Sequence, residues 1–147
     1  MNIFLPYEND IERSVAALDD RRLIKQILEC KQLLEVAIGQ NTGWSNHPVA
    51  VHYRKYPEFI ACYGYAACAE FWFRFDKNHA LDDYFTDAFT AYKPAVPFYA
   101  EYPATDPRCI RPTENVTALF QAKLVRKWNT DKISPKWTNR ERPEFYK

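Results

Sequence analysis

The chain is poor in the residues that mark many well-known sites. It has only three glycines in 147 residues, which argues against a turn-rich β-sandwich and against a glycine-rich phosphate loop. Its four cysteines form no Cys-x-x-Cys pair and have no partnered histidines, so we expect no metal site and reduced thiols. The three serines lack a Gly-x-Ser-x-Gly context, and the histidines form no His-Glu-x-x-His pattern. The common nucleophile and zinc-hydrolase classes are therefore disfavoured.

Long apolar runs are also missing. No run approaches the roughly 18–20 residues that a membrane span needs, and no signal-peptide pattern is present, so we expect a cytoplasmic protein with no membrane partner. Hydrophobic residues nevertheless make up 47% of the chain, with four Trp, ten Tyr and ten Phe, which argues against disorder. We expect a monomer with a single helical domain over residues 1–147.

The formal net charge of +1 is unevenly distributed. Residues 1–55 are neutral overall, residues 56–106 carry −5, and residues 107–147 carry +6, with ten basic and four acidic side chains. A basic segment interleaved with aromatic residues is typical of a surface that binds polyanions. A solvated helix and tail explain the same charge equally well.

Apolar spacing predicts an all-α fold of about five helices. A short helix should follow a cap at residue 9 or 10 and run to about residue 18. A long helix should begin at a cap at residue 19 or 20 and end near Ile38, before Gly39. Asn46 or His47 should cap a helix that Pro57 kinks or breaks, and the continuation to Phe75 is apolar on almost every face. The later predictions are a helix at 78–91, a proline-rich loop at 93–112, a helix from 113–114 to about 128, and a basic, aromatic tail.

Glu29 lies on the long predicted helix, nearly opposite an apolar face. That face is formed by Leu23, Ile27, Leu34 and Ile38, whereas Arg22, Lys25, Gln26, Gln32, Leu33 and Val36 share the side of Glu29. One carboxylate among cations and apolar neighbours is how a protein tunes a catalytic acid. It is also how an ordinary solvated helix face looks, and both interpretations stay open.

The chain terminus offers a second reactive group. Residues 3–5 are apolar, and if they anchor in the core they hold the α-amine of Met1 in a fixed place. An α-amine has a pKa near about 8, so a useful fraction is neutral and nucleophilic. Asn2 is too large for efficient removal of Met1. A short apolar start that simply packs is the alternative.

Several segments, taken in order, resemble the phage pyrimidine-dimer DNA glycosylase/abasic-site lyases. Leu18-x-Asp20-x-x-Leu23 followed by Glu29 resembles the segment leading to that family's catalytic glutamate, and the short apolar start resembles its nucleophilic terminus. Residues 53–70 resemble the central helix of that family, and Arg111-Pro112 resembles the loop before its last helix. Gln121-Ala122-Lys123-x-x-x-Lys127 resembles a run of residues that contacts DNA in the family, and residues 137–146 resemble its aromatic tail.

The resemblance implies a small all-α enzyme that needs no metal or cofactor and acts on damaged or modified duplex DNA. Met1 and Glu29 would be the catalytic pair, and the aromatic residues Trp44, Tyr53, Trp128 and Trp137 could line a pocket for a flipped nucleotide. The candidate DNA-binding residues are Arg21, Arg22, Lys25, His47, Lys123 and Lys127.

The chain also departs from the family pattern. Leu28 and Gln32 stand where the family has two arginines that grip DNA beside its glutamate, and Asn2 replaces a third arginine. Cations appear instead at Arg21 and Arg22, so the lesion or modification recognised stays open. Two other functions remain: a helical DNA- or protein-binding module without catalysis, and a glycosidase in which Glu29 activates water without the amine.

Overall fold

The structure, a computed structural model, describes residues 3–7, 10–40, 43–54, 56–92 and 114–146, without the side chains of residues 52 and 114–119. The described residues form helices and no strand, which confirms the all-α prediction. The elements are α1 (Ile11–Ala16), α2 (Asp20–Ala37), α3 (Pro48–Tyr53), α4 (Pro57–Phe75), α5 (Asp82–Ala91), α6 (Glu114–Thr130) and a final 3₁₀ turn (Glu144–Tyr146).

Most predicted helix ends are confirmed by their capping contacts. Asp10 caps α1, where its carboxylate accepts the Arg13 N–H at 2.8 Å. The Nδ1 atom of His47 accepts the Val49 N–H at the start of α3, as expected of a cap. Gly39 follows α2 with φ of 83°, a left-handed conformation that favours glycine. Pro57 starts a new helix rather than kinking one, so the described residues form six helices where about five were expected.

One predicted helix start is confirmed without the expected side-chain cap, and another is wrong. Asp19 occupies the cap position of α2, but its side chain makes no capping hydrogen bond and instead accepts from Arg22 at 3.1 Å. The helix expected from Asn78 begins only at Asp82. A turn precedes it, in which Nδ1 of His79 accepts the Leu81 N–H at 2.9 Å and the His79 carbonyl accepts the Asp82 N–H.

α4 is the central helix, as its apolar sequence predicts. It packs against α1, α2 and α5, and nearly two thirds of its length is buried. Gly64 allows α4 and α5 to approach each other closely, because a Cβ atom at this position would overlap the Phe85 ring of α5. One hydrophobic cluster joins the segment 3–5, all six helices and Tyr146.

A buried charged cluster ties α4 to the C-terminal segment. The guanidinium of Arg74 donates to Glu70 at 2.8 Å, to Asp20 at 3.0 Å and to the carbonyl of Ala16 at 3.0 Å. Arg140 donates twice more to Glu70, at 2.7 and 2.9 Å. Asp20 also accepts both the N–H and the hydroxyl of Thr138. We call the buried Asp20, Glu70 and Arg74, together with the partly exposed Arg140 that binds Glu70, the buried charge cluster; it aligns the start of α2 with the tail.

Other predictions fall outside what the structure describes. The proline-rich loop at 93–112 and the cap at Thr113 lie there, and the single domain over 1–147 stays a prediction. Among the helices of the described residues, none is both long and apolar enough to cross a membrane.

Candidate active site

An open cleft of about 980 Å³ runs along the exposed face of α2. Gln26 marks one border of that face, where it contacts Phe4, and Lys31 marks the other, where its ammonium lies 5.7 Å from the centre of the Tyr84 ring of α5. The rest of the lining comes from Phe4, the turn before α5, and α6 with Asp131. The cationic side chains of the cleft are Arg21, Arg22, Lys25, Lys31, Lys123 and Lys127.

Glu29 lies in this cleft and is largely shielded from water. Its side chain is 13% exposed, although the Nζ atom of Lys25 lies 3.9 Å from its Oε1. The sequence placed Glu29 opposite the core, but its neighbours Gln26 and Leu33 are fully buried, so Glu29 lies at the border of the apolar face. Ile38, assigned to the core by the pattern, is instead 37% exposed at the end of α2.

The segment before α1 is fixed beside Glu29 by hydrogen bonds that the sequence did not reveal. The Phe4 N–H donates to Oε1 of Gln26 at 3.1 Å, and the Phe4 carbonyl accepts from the Tyr63 hydroxyl at 2.6 Å. Burial raises the pKa of Tyr63, and Cys30, Tyr53 and Glu29 raise it further, so the hydroxyl stays a donor. Ile3 is fully buried next to this pair, while Met1 and Asn2 lie outside the described residues.

The same segment carries further anchors. The Ser14 hydroxyl and the Tyr7 backbone exchange hydrogen bonds of 3.0 and 3.2 Å, and the Pro6 carbonyl accepts from Gln121 of α6 at 2.7 Å. The Phe4 ring packs edge-on against Phe120. These contacts place α6 against the start of the chain, and therefore beside α2.

α6 brings Lys123 and Lys127 to the cleft, one helical turn apart. The Nζ atom of Lys123 lies 6.0 Å from the centre of the Phe4 ring. Burial lowers the pKa of Lys127, and the cations Arg22, Lys123 and Lys25 lower it further, while Asp131 opposes them. Positive charge is thus concentrated at the mouth of the cleft, although the whole chain is nearly neutral.

The six predicted DNA-binding residues differ in their surroundings. Arg21 and Lys25 are exposed in the cleft. Arg22 is held by Asp131 through two hydrogen bonds of 2.7 and 3.0 Å, so it joins α2 to the end of α6. Burial alone would lower the pKa of Arg22, but the hydrogen bonds to Asp131 and Asp19 outweigh it and raise the pKa.

Some predicted residues do not reach the cleft. His47 caps α3 and packs against Trp44, and neither lines the cleft. The expected aromatic pocket is also not assembled there: Tyr53 stacks on Phe59, and Trp128 and Trp137 pack against Tyr146 of the tail. The Trp137 indole donates to the Ala17 carbonyl, which fixes it as part of the scaffold.

Sequence reasoning assigned no role to four polar side chains that form or support the site, Gln26, Tyr63, Asp131 and His79. Gln26 falls inside the apolar arc of the α2 wheel, between Leu33 and Cys30, and that placement was a usable signal. For Tyr63 and Asp131 the sequence contains no such signal, because these residues reach the site only through packing between helices. His79 also lines the cleft, which no local pattern indicated.

A shielded carboxylate in a cleft lined by cations, on an all-helical scaffold, defines an enzyme-like site for a polyanionic substrate. Residues 1–83 match the family model described as pyrimidine dimer DNA glycosylase, and the chain belongs to this family. Membership indicates a DNA-repair glycosylase with DNA as its substrate. Searches of curated proteins and of solved structures gave no match. The matched region includes all of α2, whereas Lys123 and Lys127 lie beyond it.

Proposed function

We propose that the protein is a DNA glycosylase with abasic-site lyase activity, in which the α-amine of Met1 is the nucleophile and Glu29 moves the protons. The observation that carries this proposal is the position of Glu29: a carboxylate 13% exposed, in a cleft with six cationic side chains. Substrate phosphates would balance those cations, while the shielded carboxylate faces the sugar.

Base release is the first step. The neutral Met1 amine attacks C1′ of the damaged nucleotide, the bond from C1′ to the base nitrogen breaks, and the base leaves with a proton. Glu29 stabilises the positive charge that develops on the sugar. The sugar ring then opens as O4′ accepts a proton and the attacking nitrogen loses one, which leaves a protonated imine between Met1 and C1′.

Strand cleavage follows from the imine. The Glu29 carboxylate removes a proton from C2′, the electrons of that C–H bond form a C2′–C3′ double bond, and the 3′ phosphate leaves with the C3′–O bond. Water then hydrolyses the imine and restores the amine. The C2′ proton and the O4′ oxygen lie on the same sugar, so a single carboxylate can serve both steps.

Support for the amine comes from the residues that follow it. Ile3 is fully buried, Phe4 lines the cleft, and both hydrogen-bonding groups of the Phe4 backbone are paired with residues beside Glu29. Met1 lies two residues before Ile3 in the sequence. Its amine needs such an anchor, because a freely moving terminus loses the proximity to the sugar on which this chemistry depends. The chain between Met1 and Ile3 spans at most about 7 Å, so the buried Ile3 limits how far the amine can move.

Lys123, Lys127, Arg21 and Lys25 are proposed to hold phosphates on both sides of the target nucleotide. Contacts of this kind position the duplex and carry no sequence information. Arg22, bound to Asp131, is proposed to act by fixing α2 against α6 as well as by its charge. His47 lies away from the cleft, so any contact it makes with DNA would be peripheral.

Borohydride reduction tests the nucleophile. Incubation with a duplex containing an abasic site should give a covalent protein–DNA adduct that mass spectrometry maps to Met1, and a blocked N-terminus should abolish it. The free Met1 amine is verified on the same sample. Base release without any trapped adduct would instead support water activation by Glu29. Salt-sensitive DNA binding with neither reaction would leave a non-catalytic binding module.

A further inference from the structure

Two large apolar side chains are exposed in the middle of the cationic cleft. Leu28 is 51% exposed and Ile24 is 43% exposed, and both line the cleft. They lie one helical turn apart, on a strip of α2 about 100° around the helix axis from the fully buried Leu23 and Ile27. Isolated exposed apolar residues are ordinary, but neither core packing nor phosphate binding explains an adjacent pair inside a cleft of cations.

We propose that Leu28, supported by Ile24, is a wedge that enters the base stack of duplex DNA and fills the space left by the extruded nucleotide. The inference rests on the proposed function, and it names DNA as the occupant because of charge complementarity. Cations at Arg21, Lys25 and Lys31 surround the pair on the same helix face. These cations attract the phosphates of a DNA duplex, and a duplex bound to this helix face presents base edges and base faces to Leu28.

The position of Glu29 gives the wedge a partner. Successive helical residues are about 100° apart, so Leu28 and Glu29 form adjoining strips on a helix about 10–12 Å across. A stack opened at Leu28 therefore releases its nucleotide toward the neighbouring strip, where the shielded carboxylate lies. Apolar side chains inserted between base steps are an established way to offset unstacking, and aliphatic residues serve this purpose.

The wedge makes a distinctive prediction about substrates. Extrusion costs stacking and pairing, and the cost is smallest for a base that is already unpaired. A wedge therefore matters when the target must be unstacked and hardly matters when it is presented in a bulge. A residue that merely shaped the cleft would affect both substrates alike.

The test compares single-turnover rates of glycosyl-bond cleavage, followed as strand scission, on a fully paired pyrimidine-dimer duplex and on the same strand with the dimer in a bulge. The variants are Leu28→Ala and the double variant with Ile24→Ala; Ile133→Ala is the control, because Ile133 is 60% exposed and does not line the cleft. We expect the double variant to be about tenfold slower on the paired duplex and within about twofold of wild type on the bulge. The control should match wild type on both, with unchanged melting temperatures throughout.

A second measurement follows unstacking directly. A 2-aminopurine base next to the dimer should brighten when wild type or Ile133→Ala binds, and should brighten less with the double variant. Equal losses of rate on the paired and bulged substrates would overturn the wedge. Full activity and full brightening by the double variant would also overturn it, and would indicate that the apolar pair binds a protein partner instead. A wild-type protein that neither binds nor cleaves either duplex and also forms no borohydride-trapped adduct with abasic-site DNA would overturn the proposed function itself.

Discussion

The cleft on α2 and the buried charge cluster are built from the same residue types but differ in how their charges are matched. In the cluster, Arg74 is fully enclosed and donates to Asp20 and Glu70, and Glu70 also binds Arg140. In the cleft, burial lowers the pKa of Lys127, and the neighbouring cations Arg22, Lys123 and Lys25 on two helices lower it further. Matched charges hold the scaffold together, whereas clustered like charges create a demand for an anionic ligand.

Arg22 belongs to both kinds of environment and shows how they are joined. It lines the cleft, yet it is paired with Asp131 and Asp19. The difference between the two regions therefore lies in the supply of carboxylates, not in the number of cations. The comparison predicts that charge removal in the cleft affects function and leaves stability unchanged, and that charge removal in the cluster does the reverse.

The largest expected effect is on catalysis, from Glu29→Gln. Loss of a proton-transferring carboxylate should lower turnover by about 10²–10⁴-fold. The variant keeps the shape of the side chain, and the Lys25 partner is mostly exposed, so the free energy of unfolding should change by less than about 1 kcal/mol. Single-turnover base release and urea unfolding measure the two quantities.

Glu35→Gln is the matched control for that experiment. Glu35 is on the same helix and binds Lys31 at 2.7 Å, but it does not line the cleft. It should retain wild-type turnover. Full activity in Glu29→Gln, or its failure to fold, would refute the role given to Glu29.

Breaking the buried charge cluster should have the largest effect on stability. Arg74→Met leaves Asp20 and Glu70 buried without the cation between them, and removal of one partner from a buried ion pair costs about 3–5 kcal/mol. Urea unfolding measures the loss, with the exposed Lys77→Met as the control. A loss below about 1 kcal/mol would show that water or rearrangement compensates for the missing guanidinium.

Removing cations from the cleft should have a smaller effect, which depends on salt. Lys123→Gln and Lys127→Gln should each reduce the slope of log K against log salt by about one, equally for all DNA sequences. Because burial and neighbouring cations lower the pKa of Lys127, its replacement should leave the protein no less stable. Lys132→Gln, exposed and outside the cleft, is the control, and an equal change in its slope would contradict the assignment.

Local pattern predicted the fold well because caps, prolines and apolar spacing act over a few residues. The start of α4 at Pro57 and the end of α2 before Gly39 followed from such signals. Asn78 failed as a helix start because His79 offers its own backbone-directed acceptor and makes a turn instead. The turn at His79 and a helix start at Asn78 are local structures of similar energy, and tertiary contacts decide between them.

The site was predictable only where one helix holds it. The residues on α2 that surround Glu29 share a face, and helical spacing groups them. The contacts of Tyr63 with Phe4 and of Arg22 with Asp131 join residues 59 and 109 positions apart, so no spacing rule reveals them. Two of the aromatic residues chosen for a nucleotide pocket, Trp128 and Trp137, pack against Tyr146 instead, since an apolar ring gains more from burial than from an empty cleft.

The smallest predicted effect is a pH dependence at the edge of the cleft. Burial lowers the pKa of His79 below 6.5, with Asp82 opposing, and protonation would also remove the Nδ1 lone pair that accepts the Leu81 N–H. A group whose pKa is lowered by folding contributes its full stability above 6.5 and loses it as the pH falls toward the folded pKa. His79→Asn keeps an acceptor for the same N–H without titrating, so the difference in stability between wild type and variant should shrink or reverse between pH 7.5 and 5.5. Thermal unfolding across that range, together with an NMR titration of the imidazole, measures it. An imidazole that titrates above 6.5 would mean that the Asp82 carboxylate, rather than burial, dominates the pKa of His79.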